Sequence, residues 1–325
     1  MIRIATIGTS MITQMFADAV TATPGIELSV AYSRDAERAA EFARTVGAPA
    51  SASDLDLLLQ RGDVDAVYVG TPNAAHAAPV RAALKAGVHV FVEKPAVPTA
   101  AEFDQIATEA DAAGVVLFEG MRNVYDPGFA RIRELLPQLG VIRRASFVYA
   151  KRSSRYDLVL AGERVNIFDP ALAGGTVLDL GVYPIAAMVA LFGEPQSVAA
   201  MSVTISSGAD GAGAALLAYP GMVADVSYSK ISTSHRMSEI EGEDGTLLID
   251  QISCPRKLSL RLRDGSVLDE TVEMDGVAPG NELENMRFEV ARFVEIVGGE
   301  SGAADLARTR AMLHVTDRIR AAASA

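Results

Sequence analysis

The chain has 325 residues, half of them apolar and 22% charged, with a net charge of −12. That length exceeds one ordinary core and fits two domains of roughly 120–200 residues each, while the acidic balance argues against nucleic acid as a partner, because a phosphate backbone needs a basic patch. The single cysteine, Cys254, excludes an internal disulfide framework and points to a reducing compartment, the cytoplasm; the four histidines show no zinc-ligand spacing, no uninterrupted apolar run of about 18 residues predicts a membrane span, and the opening MIRIATIG lacks a signal-peptide layout.

The first 120 residues alternate apolar runs with helical patterns. Strand 2–7 ends in Gly8, and 11–22 has helical spacing, with Met11, Met15, Phe16, Ala19 and Val20 on one face. Strand 27–32 follows. Asp35 is placed to cap a helix running to Val46 and closed by Gly47. Strand 64–69 stops at Gly70-Thr71-Pro72, helix 74–86 ends at Gly87, and strand 88–92 precedes Glu93-Lys94-Pro95. Thr99 caps a helix to Ala113 closed by Gly114, and 115–118 is a fifth strand. Continuous apolar strands separated by helices predict a parallel sheet covered on both faces and doubly wound, a Rossmann domain over 1–120.

After residue 120 the pattern changes. Helix 127–136 and strand 141–150 are followed by an apolar helix over 182–192. Short strands then follow at close spacing, over 197–206, 213–219, 222–229, 236–242, 246–250, 257–263 and 267–273, with Gly and Asp turns between them. Helices at about 281–297 and 303–322 finish the chain. The fold class is therefore α/β, with a second, α+β domain over 121–325 that carries a large, mostly antiparallel open sheet, its C-terminal helix able to pack back on the first domain.

Ligands of an open parallel sheet bind beyond the carboxyl ends of its strands. At the first such end, Gly8-Thr9-Ser10-Met11-Ile12-Thr13 retains one glycine of the G-x-G-x-x-G fingerprint. Gly8 makes the turn, and the helix start still offers free N–H groups to a pyrophosphate; an ordinary βα turn would look much the same. At the second, Ser33 stands where an acidic residue would hold the ribose of NAD. With Arg34 and Arg38 it suits a 2′-phosphate, which favours NADP over NAD. Thr71, Pro72, Asn73, His76, Glu93 and Lys94 occupy the next two ends. A Glu-Lys-Pro after an all-apolar strand directs a lysine into the crevice, a surface lysine beside a turn proline being the plainer alternative.

The run VGTPNAAHAAPVRAALKAGVHVFVEKP (69–95), the Ser-Arg-Asp at 33–35, LAGGTVLDLGVYP (172–184) and EGEDGTLLID (241–250) lie in both domains and in order. On these residues the chain resembles the Gfo/Idh/MocA oxidoreductase family. The resemblance implies an NAD(P)-binding Rossmann domain, a substrate domain whose sheet pairs subunits into homodimers or homotetramers, and a small sugar or polyol substrate. It implies that Lys94 contacts both nicotinamide ribose and substrate, with Asp179 and Tyr183 completing the site. Tyr183 in place of a histidine is similar to the branch holding dihydrodiol dehydrogenases and glucose–fructose oxidoreductase. The chain departs from the family at the first turn, at Thr176 in place of a third glycine, and at Met121-Arg122-Asn123, where Arg122 alone of the family's aromatic-Arg-Phe is kept and is assigned to the cofactor.

Moving hydride from an alcohol carbon requires a proton to leave its oxygen. A free tyrosine, with a pKa of about 10, is a poor base near neutrality, and a nearby ammonium such as Lys94 would lower it. Asp179 and Tyr183, four apart, share one face if a helix runs over 180–192; Asp179 as a plain helix cap is the alternative. Lys94, Asp179 and Tyr183 are thus the expected catalytic groups, with Asn123, Tyr156, Asn166 and Phe168 as further substrate contacts. Two other readings stay open, a non-catalytic NAD(P)-binding regulator and a hydrolase that cycles a bound NAD.

Overall fold

The computed structural model describes residues 1–274 and 285–324. The expected helix start at 281–284 lies outside the described residues. The chain divides into two compact units, Met1–Met121 with Asn281–Arg310, and Arg122–Gly280 with Ala311–Ala325. The division falls beside the boundary expected after residue 120, but Asn281–Arg310 belongs with the first unit.

In the first unit β1 (Ile2–Ile7), α1 (Met11–Thr21), β2 (Ile26–Tyr32), α2 (Ala36–Val46), β3 (Ala50–Ala52), α3 (Leu55–Leu59), β4 (Ala66–Val69), α4 (Ala77–Lys85), β5 (His89–Glu93), α5 (Ala100–Ala113) and β6 (Leu117–Gly120) succeed one another. The sheet order is β3-β2-β1-β4-β5-β6, every pair parallel. The strand order therefore reverses between β1 and β4, where open α/β sheets take their ligands. Strands β4 and β6 are buried at every residue, as continuous apolar runs covered on both faces require.

The helix ends follow local chemistry. Asp35 accepts from Arg38 N, Thr99 accepts from Glu102 N, and Gly47 and Gly114 close their helices with φ of 71° and 66°. Strand β3 and helix α3 are additions to the expected order. Asp54 caps α3, whose five residues are too few to show a period. An aromatic cluster ties the helices to the sheet. Phe16 of α1 stacks on Tyr68 of β4 at 3.8 Å between centroids, and Phe91 meets Phe16 at 5.0 Å and Phe118 at 5.1 Å. Phe293 joins the cluster at 5.5 Å from Phe91, which anchors the returning segment in this unit.

The second unit holds α6 (Pro127–Leu135), β7 (Ile142–Ala150), α7 (Tyr156–Leu160) and α8 (Val182–Phe192). Seven further strands follow, β8 (Ser197–Thr204), β9 (Asp210–Tyr219), β10 (Met222–Ser229), β11 (Ser238–Gly242), β12 (Gly245–Ile249), β13 (Lys257–Leu262) and β14 (Val267–Thr271). The last two helices are α9 (Met286–Val297), in the first unit, and α10 (Ala303–Ala323). The eight strands order as β14-β13-β12-β11-β7-β10-β9-β8. All neighbours are antiparallel except β7 and β10. One cross-strand row, Leu260, Leu247, Ile240, Ala145, Ala224 and Leu217, is buried throughout. The opposite face leaves Met201, Val203, Leu216 and Val223 exposed, beside an ion network of Arg144 with Asp225, Glu239 and Glu241.

The stretch Pro170–Phe192 reaches the length and hydropathy of a membrane span, yet 72% of its most apolar window is buried inside the protein. Its apolarity is spent on the core. It is also not one regular helix, because Val177–Gly181 forms a π-helical turn before α8 begins.

Candidate active site

Three buried side chains hold the turn that carries Lys94. Glu93 ends β5, is 6% exposed and accepts from Lys94 N at 3.1 Å and from the Tyr68 hydroxyl at 3.0 Å. From β6, Glu119 accepts from Ala96 N at 2.9 Å and from the Thr309 hydroxyl at 2.9 Å. His76 is fully buried, its Nδ1 lying 3.0 Å from Pro95 O and its Nε2 2.7 Å from Thr71 O. Burial pushes its pKa below the ordinary imidazole value, against the pull of those carbonyls. A cofactor contact is expected of His76; the ring is instead enclosed at the ends of β4 and β5, where a neutral imidazole, with one N–H, donates to one of the carbonyls that face it. Glu93 likewise positions Lys94 from beneath. Lys94 itself is half-buried.

The phosphate turn compensates for its missing glycines. Gly8 has φ of 126°, and a Cβ there would meet Gly70 O at 2.7 Å. Thr13, in place of the last fingerprint glycine, is buried, and its hydroxyl would lie 2.8 Å from a Cβ on Gly70. The close approach has moved from helix to strand end. Ser10 is exposed, makes no capping bond to the helix backbone and pairs with Thr13 through the hydroxyls at 3.1 Å. The first N–H groups of α1 thus keep an open approach, with Thr9 partly and Met11 largely exposed and Ile12 beside them. Thr9 and Arg38 also line a pocket of about 330 Å³ with Glu41, Phe42 and Thr45. Ser33 accepts from Asp35 N at 3.3 Å, while Arg34 and Arg38 stand exposed. Pro72 is exposed and Asn73 half-buried at the end of β4. A narrow glycine turn, a helix start without a side-chain cap and two exposed guanidinium groups fit the pyrophosphate and ribose of NAD(P).

In the second unit Arg122, 4% exposed, donates from Nε to the Tyr183 hydroxyl at 3.1 Å and lies 5.1 Å from that ring's centroid. Burial opposes the charge of Arg122, but the phenols of Tyr183 and Tyr149 outweigh it and raise its pKa above the ordinary guanidinium value. Arg122, expected at the cofactor, is here hydrogen-bonded to Tyr183. Asn123 is fully buried; its Nδ2 donates to the carbonyls of Tyr183 and Ile252 at 3.1 and 3.3 Å, while its Oδ1 is buried without a hydrogen-bond partner among the described residues.

Asp179 sits in the π-helical turn, not at a helix cap. Its Oδ2 meets the ammonium of Lys230 at 2.7 Å, and its side chain is 32% exposed. Asp210 of β9 holds the start of this turn, accepting from Val177 N at 2.7 Å, while Thr176 donates to the Asp210 carbonyl at 3.0 Å. Phe168 is fully buried in a cluster with Val159 and Val165, against which Tyr156 packs half-buried; Phe168 is core, and a substrate contact for it is withdrawn. Asn166 is exposed. Lys230, Asp210, Glu119 and Thr13 were not singled out from sequence. The one signal for Lys230 is a lysine directly after a strand end, the placement that marked Lys94.

A parallel sheet with an anion-binding turn, joined to a unit that presents a carboxylate and a guanidinium-paired phenol, defines an NAD(P)-dependent oxidoreductase. Residues 2–121 match the model of an oxidoreductase family with an NAD-binding Rossmann fold, and 129–248 match the Gfo/Idh/MocA C-terminal domain. The chain belongs to the Gfo/Idh/MocA family. It is 38% identical over 297 residues to scyllo-inositol 2-dehydrogenase (NADP(+)) IolU of Bacillus subtilis, covering 91% of this chain and 88% of the relative. Trans-1,2-dihydrobenzene-1,2-diol dehydrogenase of Oryctolagus cuniculus is 32% identical, with 69% and 68% covered. The solved complex of levoglucosan dehydrogenase with NADH and levoglucosan superposes with a TM-score of 0.88 at 20% identity, covering 99% and 97%.

Burial raises the pKa of Glu119, with Ala96 N and Thr309 pulling against it. A carboxyl that holds its proton more tightly when folded adds stability below its unfolded value of about 4.3, and that contribution is lost as pH rises through the folded value. Glu119→Gln, which keeps the acceptor for Ala96 N, should therefore gain in melting temperature relative to wild type as pH is raised from 5 to 9, followed by circular dichroism. A difference that does not change with pH would contradict this account.

Proposed function

We propose that this chain is an NADP-preferring dehydrogenase/reductase of a small polyol, a sugar or a cyclic polyol. The observation that carries the reading is the Arg122–Tyr183 hydrogen bond at 3.1 Å, a phenol held against a buried cation, with Asp179 one helical turn away. The names of the relatives, one acting on an inositol with NADP(+), support the substrate class and the cofactor.

Bound NAD(P) supplies the hydride acceptor or donor at C4 of its nicotinamide. In reduction Tyr183 gives its proton to the oxygen that becomes the alkoxide, and the guanidinium of Arg122 stabilises the phenolate left behind. In oxidation the same phenolate takes the hydroxyl proton as hydride leaves the carbon. Asp179 accepts a hydrogen bond from a substrate hydroxyl and so orients the carbon. Lys94, on a turn whose backbone is held by Glu93, His76 and Glu119, uses its ammonium to favour negative charge on the reacting oxygen.

Tyr183→Phe should lower kcat by about 100-fold or more, with the dissociation constant for NADPH unchanged; Lys94→Ala should lose turnover as well. Both are measured by nicotinamide absorbance with scyllo-inositol and a panel of sugars, and retention of kcat by both variants would sink the proposed roles. Ser33→Asp puts a carboxylate against a 2′-phosphate and should weaken NADPH binding by about tenfold or more while sparing NADH. Equal effects on the two cofactors would remove Ser33 from the discrimination.

The apolar patch of Met201, Val203, Leu216 and Val223 supports pairing of subunits through the open sheet face. Light scattering should report a dimer or tetramer for wild type and a shift toward monomer for Leu216→Lys with Met201→Lys. A wild-type mass of 34.2 kDa, that of one chain, would overturn this assembly.

A further inference from the structure

Lys230 follows the last residue of β10 and is 2% exposed. Its backbone is fixed on both sides: Lys230 N donates to Gly211 O at 2.9 Å, and Ser153 N donates to its carbonyl at 2.8 Å. Ser229 Oγ accepts from Ile231 N and Ser232 N, which locks the turn that follows. The side chain therefore leaves a rigid base. Its ammonium donates to Ile167 O at 3.1 Å, stands 4.5 Å from the centroid of the Phe168 ring and meets Asp179 Oδ2 at 2.7 Å. Burying an ammonium costs several kcal/mol unless strong partners compensate it. Here the Asp179 carboxylate is a partner of opposite charge at bonding distance, and it belongs to the π-helical turn one helical turn before Tyr183.

We propose that Lys230 is a positioning residue of the hydride-transfer site, whose buried ammonium holds the Asp179 carboxylate in one rotamer and in its anionic form. Asp179 is then presented to substrate as an acceptor of fixed direction. The other ionisable groups around this turn are Asp210 from β9, Tyr228 from β10, Tyr149 from β7, and Arg122 with Tyr183. Burial pushes the carboxyl of Asp210 up while the charge of Lys230 draws it down, and burial with the charge of Asp210 pushes the Tyr228 phenol up.

The catalytic part of this inference rests on the polyol-dehydrogenase reading; the carboxylate part does not. The test follows the side-chain carboxyl carbon of Asp179 by NMR in protein labelled at aspartate, the resonance assigned by its loss in Asp179→Asn. In Lys230→Met the titration midpoint should rise by about one unit or more. The acid limb of kcat/KM should move with it, kcat should fall about tenfold or more, and the dissociation constant for NADPH should stay as in wild type. Lys230→Arg should return the midpoint toward wild type. If Lys230→Met does not fold, Lys230→Gln, which keeps a donor for Ile167 O, carries the same measurements. An unmoved midpoint overturns the inference, even with a lowered melting temperature. A moved midpoint with the kcat/KM profile unchanged limits Lys230 to the carboxylate and overturns its part in turnover. Failure of wild type to turn over any polyol counts against the substrate reading, and the midpoint still decides on Lys230.

Discussion

Lys94 sits on a turn whose peptide groups are gripped from below by Glu93, His76 and Glu119, each contributed by a different strand end or by the segment between two of them. A lysine stem has many rotamers and would blur any chemistry asked of its ammonium. Fixing the backbone at both Lys94 N and Ala96 N sets the base from which that side chain leaves, so only its own torsions remain to place the ammonium. The arrangement requires two carboxyls and an imidazole with almost no access to water. It is tolerated because nearly every polar atom faces a partner, and burial itself keeps Glu119 toward its protonated form. The parallel sheet exists, from the site's standpoint, to bring these three residues to one edge.

The second unit solves a related problem differently. Tyr183 and Asp179 need directions, and each obtains one from a buried cation, Arg122 for the phenol and Lys230 for the carboxylate. The π-helical turn makes room for both. Asp179 lies within it, and Asp210 holds the start of the turn by accepting from Val177 N. Thr176, where the family pattern has glycine, is accommodated because its hydroxyl finds the Asp210 carbonyl.

Much of this was legible in the sequence wherever the cause is local. Asp35, Thr99, Gly47 and Gly114 announce helix ends by chemistry that acts within four residues, and the structure has each in that role. The parallel and antiparallel halves declared themselves through apolar runs and short-spaced turns. What escaped depends on distant partners. His76 looked like a helix-face residue and is instead enclosed by carbonyls from two other segments. Phe168 and Asn123 fell near the expected substrate loops, yet both are fully buried, and Asn123 Nδ2 holds the Tyr183 carbonyl. Lys230 and Asp179 are 51 positions apart in the sequence (230 − 179), and no periodicity connects them. The π-helical turn hides within an apolar stretch that reads as plain helix.

The exchange between Thr13 and Gly70 constrains how such a turn can change over time. A side chain at 70 would collide with the Thr13 hydroxyl and with the Tyr68 ring, and one at Gly8 would collide with the carbonyl of Gly70. Both positions are therefore held to glycine by their neighbours. Glycine at 13 would remove one of the two clashes at position 70, and the Tyr68 ring would still bar a side chain there. Searches that weigh only the glycines of the helix start will overlook chains that took this path, because the vacancy they look for now lies on the neighbouring strand.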